Sequence, residues 1–182
     1  NVGEAPGVNA YDKVDSETDE ILSYDFEDGL SDKSANEYDA ENGKNAEVKD
    51  GELVLKGGES YISTPLDKVG PEKELSFDIT LTQPAEPGQI LFEAYSTHNI
   101  RIMEDGTLGF TREGYDYSFG YKLPVNQKMT LKIRTKNGST VLIADGKEYK
   151  ATGSFTYEGD VKKTGITSST LSLPLTRIGS DT

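Results

Sequence analysis

Short segments in which hydrophobic and polar residues alternate recur along the chain from Ile21 onward, separated by turn-forming residues. Alternation with a period of two is typical of β-strands that bury one face. No segment carries apolar residues at helical spacing over three turns. The pattern therefore predicts an all-β protein built as an antiparallel two-sheet sandwich. The predicted strands are ILSYDFE, GELVLKG, SYISTP, ELSFDITLT, QILFEAYS, NIRIMEDG, TLGFTRE, YDYSFGYKL, MTLKIRTKNG, STVLIADG, KEYKA and LSLPLTRIG.

Three turns between these segments contain residues that accept a positive φ. They are Glu104-Asp105-Gly106, Lys136-Asn137-Gly138 and Ala144-Asp145-Gly146. Asn-Gly and Asp-Gly pairs suit the tight turns that match the twist of an antiparallel strand pair. We therefore expect a β-hairpin at each of the three positions.

Alternation also assigns each strand residue to a face, because successive side chains point to opposite sides of a sheet. On this basis Glu93, Tyr95, Asn99 and Arg101 are expected to face outward. The residues expected to form the core between the sheets are Leu53, Leu55, Phe77, Ile79, Ile90, Phe92, Ile100, Ile102, Leu131, Ile133 and Leu142.

The first twenty residues differ from the rest of the chain in having few apolar positions and no periodicity. Such composition is typical of a linker or tail. Because a single all-β unit can be this long, the chain of 182 residues is expected to hold one domain over residues 21–182.

Charge and composition narrow the classes of partner. The net charge is −13, which argues against a nucleic acid or an anionic membrane as partner, because binding either one requires clustered Lys and Arg. No apolar run is long enough for a membrane span. The absence of cysteine excludes disulfides and thiolate metal sites, and it suits both the cytosol and bacterial secretion without disulfides.

Several motifs follow one another in a characteristic order: YDFEDGLSDKSAN, KDGELVLKGGESYISTPL, ILFEA, LGFTREGYDYSFGYKLP and LPLTRIGS. From Ile21 to the C terminus, this order resembles the laminin-G-like members of the concanavalin A-like lectin/glucanase superfamily. The narrower motif GFTREGYDYSF is similar to modules appended to secreted bacterial glycoside hydrolases, particularly the family 20 β-N-acetylhexosaminidases.

The resemblance implies a jelly-roll sandwich that is secreted or displayed on a bacterial cell surface. It implies a noncatalytic carbohydrate-binding or accessory module of a glycosidase, with a glycan or the neighbouring catalytic domain as partner. The alternative is a structural domain that packs on that catalytic domain without binding sugar, and an adhesin-type interaction domain is a third. In this resemblance a last strand usually follows the I-G-S at 178–180. The chain either lacks that strand or replaces it with another segment, such as part of residues 1–20 beside the first strand.

The stretch from 115 to 123 is rich in aromatic residues. Alternation puts one row on a single face: Tyr115, Tyr117, Phe119, Tyr121 and Leu123. The row either packs between the sheets, with each phenol hydrogen-bonded, or stacks on sugar rings. Because Gly114 and Gly120 can bend the strand, Tyr115 is the best candidate for an exposed ring.

Polar side chains flank this row. The guanidinium of Arg112 offers paired donors to vicinal hydroxyls or to an acidic sugar, and the alternative is an ion pair between Arg112 and Asp116 across the turn. We therefore predict sugar binding at Arg112, Tyr115, Asp116 and Tyr117. The outward-facing alternative comprises Glu93, Tyr95, Asn99 and Arg101.

No catalytic residue is predicted. No local pair of carboxylates matches the arrangement that glycoside hydrolysis needs. Glucanases of the superfamily that the chain resembles carry a strand motif of the type E-x-D-x-x-E, and the segment from Glu74 to Asp78 lacks its third acid and its spacing. His98 is the single histidine, which argues against a histidine-based catalytic triad and excludes a zinc site with several histidine ligands.

The segment YDFEDGLSDKSAN gathers carboxylate and amide oxygens around a glycine turn. Calcium takes six to eight such oxygen ligands, and the resemblance to the superfamily also implies one structural calcium. The alternative is a turn in which Asp32 and Ser34 accept hydrogen bonds from local amides. The predicted ligands are Asp25, Glu27, Asp28, Asp32 and Asn36.

Overall fold

The computed structural model describes most of the chain. The described residues are 3–5, 8–11, 20–34, 36–56, 59–66, 68–69, 73–94, 99–112, 115–136, 139–156, 162–167 and 173–180. Within these ranges the regular structure is entirely β, and no helix is long and apolar enough to cross a membrane.

Two large sheets and one small sheet contain the strands of the described residues. The first sheet is formed by β1 (Gly3–Ala5), β2 (Val8–Tyr11), β3 (Glu20–Tyr24), β5 (Ala46–Lys49), β6 (Glu52–Leu55), β9 (Glu74–Leu81), β14 (Met129–Lys136), β15 (Ser139–Ala144) and β16 (Lys147–Lys150). The second is formed by β4 (Glu41–Lys44), β7 (Ser60–Ser63), β10 (Ile90–Glu93), β11 (Ile100–Ile102), β12 (Leu108–Arg112), β13 (Tyr115–Ser118), β17 (Thr152–Thr156), β18 (Lys162–Thr167) and β20 (Arg177–Ser180). The small sheet pairs β8 (Lys68–Val69) with β19 (Leu173–Pro174).

Strand order places distant parts of the chain side by side. The first sheet runs β16-β15-β14-β9-β1-β6-β5, with β2 also paired to β9 and β3 paired to β2. The second runs β18-β17-β13-β12-β11-β10-β20-β7-β4. All of these described strand pairs are antiparallel, which confirms the predicted antiparallel architecture.

The core lies between the two large sheets. Phe77 of the first sheet meets Phe92 of the second edge to face, with ring centroids 4.9 Å apart. Buried side chains from both sheets form one cluster, so the sheets pack face to face as a sandwich. Ten of the eleven predicted core residues are buried, and Ile90 is the half-buried exception.

A register irregularity in β10 accounts for Ile90. Ile90 lies opposite Arg101 and Phe92 lies opposite Ile100, so the ladder shifts between Ile90 and Phe92. Leu91 is buried instead. A bulge of this kind re-aims side chains locally, which simple alternation does not anticipate.

The predicted hairpins are present. Strand β11 pairs with β12, β14 pairs with β15, and β15 pairs with β16. The last turn has φ of 52° at Asp145 and 73° at Gly146, the positive pair that a type I′ hairpin requires. Residues 137–138 of the middle turn lie outside the described residues.

Residues 1–20 were expected to form a linker, but two segments of this region are strands. Strand β1 lies between β9 and β6, and β2 pairs with both β9 and β3. Among the described residues, β3 joins the first sheet through β2. One of the two alternatives put part of this region beside the first predicted strand, and Val8–Tyr11 lies there, paired with Glu20–Tyr24.

Candidate functional site

Neighbouring strands of the second sheet carry polar side chains on the face that points away from the core. The alternate residues of the same strands, such as Phe92, Ile100 and Phe110, are buried in the core. Because side chains alternate along a strand, Glu93, Arg101 and Thr111 point to the opposite side. We call this side the outer face of the second sheet.

Arg101, Thr111 and Asp116 meet on this face, and we call them the outer-face cluster. Thr111 lies directly opposite Asp116 in the pairing of β12 with β13, and the Thr111 hydroxyl donates to Asp116 Oδ1 at 2.8 Å. Arg101 comes from β11, and its Nη2 donates to the Thr111 hydroxyl. The same nitrogen lies 3.8 Å from Asp116 Oδ1. A guanidinium, a hydroxyl and a carboxylate are thus linked in one chain of donors and acceptors.

The outer-face cluster is open to solvent. The Arg101 side chain is 33% exposed and that of Asp116 is 60% exposed. The strand pairing beneath it is tight, because a Cβ at Gly109, which pairs with Arg101, would come within 2.0 Å of the Tyr117 carbonyl oxygen. The polar groups are therefore held on a closely paired strand ladder while their outer sides can still reach a ligand.

A buried ion pair lies on the same face. Arg177 of β20 donates through Nη1 to Glu93 Oε1 of β10 at 2.7 Å, and the two side chains are only 12% and 11% exposed. The Arg177 guanidinium also lies over the ring of Tyr61, 5.1 Å from its centroid. Glu93 therefore lies on the predicted face but is not available to solvent, because Arg177 engages it.

Asn99 supports the loop between β10 and β11. Its Oδ1 accepts a hydrogen bond from the Ala94 amide at 3.0 Å. That bond connects the end of β10 to the start of β11. Residues 95–98 between them, which include the predicted site residue Tyr95 and also His98, lie outside the described residues.

Tyr117 belongs to the core and not to a sugar platform. It is 7% exposed and stacks on Phe110 with centroids 5.0 Å apart. Phe119 and Leu123 are buried as well. For these three residues the structure favours the first alternative, in which the aromatic row packs between the sheets. The covered ring of Tyr117 gives no support to its predicted role in sugar binding.

The structure leaves two predicted residues open. Arg112 and Tyr115 pair with each other across the β12–β13 hairpin, but their side chains lie outside the described part of the structure, as does the whole of residues 113–114. Asp116, which follows them, engages Thr111 and Arg101. The alternative ion pair between Arg112 and Asp116 stays a prediction, because the Arg112 side chain lies outside the described part of the structure.

The acidic segment forms a hydrogen-bonded turn around Asp32. The Asp32 carboxylate accepts four hydrogen bonds, at 2.8–2.9 Å, from the amides of Ser23, Ser34 and Tyr38 and from the Ser34 hydroxyl. Burial by itself would raise the pKa of Asp32, but these hydrogen bonds together lower it below its ordinary value. Asp32 therefore acts as a buried acceptor of local donors.

The other predicted calcium ligands are engaged differently. Asp25 accepts the Glu27 amide at 3.0 Å, Asn36 donates to the Ile21 carbonyl at 2.8 Å, and Asp28 lies 3.6 Å from Lys33. Across the part of the chain that the structure describes, no three Asp, Glu or His side chains are grouped as metal ligands. The geometry favours the turn alternative, and calcium binding stays a prediction.

Sequence reasoning missed Tyr61, Thr111 and Arg177. Alternation did contain a signal for two of them, because Ile62 and Ile178 are apolar positions next to Tyr61 and Arg177. What alternation does not show is that β20 lies between β10 and β7, which brings Arg177 to Glu93.

Comparison with known proteins supports the fold. No family model matches the sequence, and no curated protein matches it either. The structure is similar to domain 4 of AbnA, an extracellular arabinanase of glycoside hydrolase family 43 from Geobacillus stearothermophilus, solved in complex with arabinotriose. The match covers 99% of this chain and 94% of that domain, with a TM-score of 0.53 and 17% identity. The chain therefore has the β-sandwich fold that was predicted.

Proposed function

We propose that the protein is a noncatalytic carbohydrate-binding module of a larger secreted glycosidase. The observation that carries the proposal is the outer-face cluster, in which an Arg, a Thr and an Asp from three adjacent strands form a half-exposed row of donors and acceptors. Sugar hydroxyls are both donors and acceptors, so a surface that offers both in fixed positions suits them.

The similarity to domain 4 of the arabinanase supports this proposal. That domain belongs to an extracellular glycosidase and was solved with an oligosaccharide, and the match covers nearly the whole of both chains. We extend this to a secreted location and a neighbouring catalytic domain for the present chain. The alternative, a domain that packs on its catalytic neighbour without binding sugar, is an outcome of the experiment below.

The finer part of the proposal concerns the parent enzyme. The motif GFTREGYDYSF supports a laminin-G-like module of a family 20 β-N-acetylhexosaminidase, whereas the structural match is to a family 43 arabinanase. The two parents imply different ligands. N-acetylglucosamine oligomers would suit the first and arabinose oligomers the second.

Calorimetric titration of the chain with arabinotriose and with chitotriose tests both parts. We expect a dissociation constant of about 1 μM to 1 mM for one of the two, as is usual for shallow sites. Arg101→Ala should abolish the binding heat and leave the melting temperature nearly unchanged, since a partly exposed Arg seldom carries much stability. Arg112→Ala and Tyr115→Ala should do the same if these predicted residues also contact the sugar.

The matched control is Arg134→Ala. Arg134 also pairs with a carboxylate, Glu148, but lies on the first sheet, so its removal should leave sugar binding intact. Binding that survives Arg101→Ala would contradict this placement of the site. The complete absence of binding across a glycan array would favour the structural-domain alternative.

A further inference from the structure

The charges of the outer-face cluster indicate which sugars can bind there. The inference rests on the proposed function, because it concerns the ligand of the same face. The sequence alone left Arg-based recognition open to both neutral and acidic sugars. The structure adds the position of a carboxylate beside the exposed guanidinium.

The guanidinium of Arg101 is not a free cation. Its Nη2 lies 3.8 Å from Asp116 Oδ1, and the Thr111 hydroxyl bridges the two groups. Asp116 is the more exposed partner, at 60% against 33% for Arg101. A ligand that approaches Arg101 from solvent therefore meets the negative charge of Asp116 at the same time.

Another arginine described on this face, Arg177, is also paired with a carboxylate. Arg177 pairs with Glu93 at 2.7 Å, and both side chains are nearly buried. The Arg101–Asp116 and Arg177–Glu93 pairs thus each hold one positive and one negative charge. The whole chain carries a net charge of −13, which adds a weak, salt-screened repulsion of anions.

We propose that the outer-face cluster binds neutral, hydroxyl-rich sugars and that Asp116 excludes acidic ones by its charge. Hydroxyls can donate to the Asp116 carboxylate and accept from Arg101, so a neutral sugar uses both groups. A sugar carboxylate can use Arg101 only by approaching Asp116, where two like charges repel each other. Asp116 is in this sense a specificity-determining residue.

Asp116→Asn separates the charge from the hydrogen bond. The Asn Oδ1 can still accept from the Thr111 hydroxyl, while the negative charge beside Arg101 disappears. The matched control is Glu148→Gln, which removes the same charge from the Arg134–Glu148 pair on the first sheet. Both variants change the net charge of the chain equally, so a difference between them reports local charge alone.

The experiment titrates wild type and both variants with arabinotriose and chitotriose as neutral probes and with trigalacturonate as the acidic probe. We expect wild type to bind a neutral probe and to bind trigalacturonate at least about tenfold more weakly, a ratio typical of one unfavourable charge contact. Asp116→Asn should strengthen trigalacturonate binding about three- to tenfold, in a salt-sensitive manner, and Glu148→Gln should not.

The outcomes separate the inference from the proposed function. Wild-type binding of trigalacturonate as tight as that of the neutral probes would overturn the inference and leave the proposed function standing. Equal effects of Asp116→Asn and Glu148→Gln would overturn the role of Asp116. No binding of any probe by wild type would overturn the inference together with the sugar-binding function on which it rests.

Discussion

At the scale of single residues, a side chain on the outward side of a sheet is not always exposed. Glu93 and Asp116 lie on the same outer face, yet Glu93 is buried against Arg177 whereas Asp116 is mostly in solvent. The difference decides their roles. We expect Glu93 to contribute to stability, and the exposure of Asp116 supports the ligand contact that we propose for it.

The Glu93–Arg177 pair yields a prediction about stability. Glu93→Gln removes the carboxylate charge that lies 2.7 Å from the Arg177 guanidinium in a nearly dry position, so the free energy of unfolding should fall by about 3–5 kcal/mol. Urea unfolding monitored by circular dichroism measures the change. Glu148→Gln removes a carboxylate that is 55% exposed, against 11% for Glu93, and should cost no more than about 1 kcal/mol. Equal losses in the two variants would show that burial does not distinguish the pairs.

Asp32 yields a prediction about pH. Hydrogen bonds lower its folded pKa, so its contribution to stability is present above the pKa of the unfolded chain, about 4, and is lost as pH falls through the folded pKa. In Asp32→Asn the side-chain NH₂ group takes the place of one carboxylate oxygen, so that a donor faces backbone amides that also donate. The substitution should cost about 1–3 kcal/mol at neutral pH, with a smaller difference from wild type at about pH 3.

Urea unfolding at the two pH values measures this effect. Asp28→Asn is the control, because the Asp28 side chain is 77% exposed and lies 3.6 Å from Lys33 at the surface. A chelator should leave the wild-type melting temperature unchanged if Asp32 serves only the turn. A clear drop with chelator, reversed by calcium, would instead support the predicted calcium site.

At the scale of elements, the strands of the N-terminal region connect other strands of the first sheet, which the composition of this region does not suggest. Strand β1 bridges β9 and β6, and β2 bridges β9 and β3. A sheet that loses an inner strand exposes unpaired amides and carbonyls on both neighbours, which is costly when they are buried.

Deletion of residues 1–11 is therefore expected to lower the melting temperature strongly, because it removes both bridging strands. Residues 1–2 precede β1, so their deletion alone serves as the control and should change the melting temperature little. Differential scanning calorimetry measures both. A chain without residues 1–11 that melts like the intact chain would show that this region acts as the linker first expected.

At the scale of the whole molecule, the two large sheets share one core. Buried residues of both sheets form a single cluster, and Phe77 and Phe92 connect them directly. If the inner face of one sheet became exposed to water, the inner face of the other would be exposed as well. This coupling is the physical basis of cooperative unfolding in a single domain.

We therefore expect one unfolding transition. The chain has ten tyrosines and no tryptophan, so near-ultraviolet circular dichroism reports tyrosine packing while the far-ultraviolet signal reports the sheets. The two curves should coincide in urea, with equal calorimetric and van't Hoff enthalpies. Separate midpoints would show that the sheets, or the N-terminal strands, unfold independently.

The sequence by itself determined the all-β class, the hairpins and nearly all of the core. These features are local: alternation sets the direction of each side chain relative to its own strand, and residues such as Asp145 and Gly146 set the turn between two strands. For the same reason it assigned Glu93, Asn99 and Arg101 to one face.

Only the tertiary structure decided which of these residues can meet a ligand. Exposure depends on neighbours from distant parts of the chain, and Arg177 lies 84 residues from the Glu93 that it covers. The bulge that turns Ile90 partly away from the core, the ring packing that buries Tyr117, and the bridging of Asp116 to Arg101 likewise follow from strand order and register. Local pattern carries no information on strand order, because many orders bury the same alternating faces equally well.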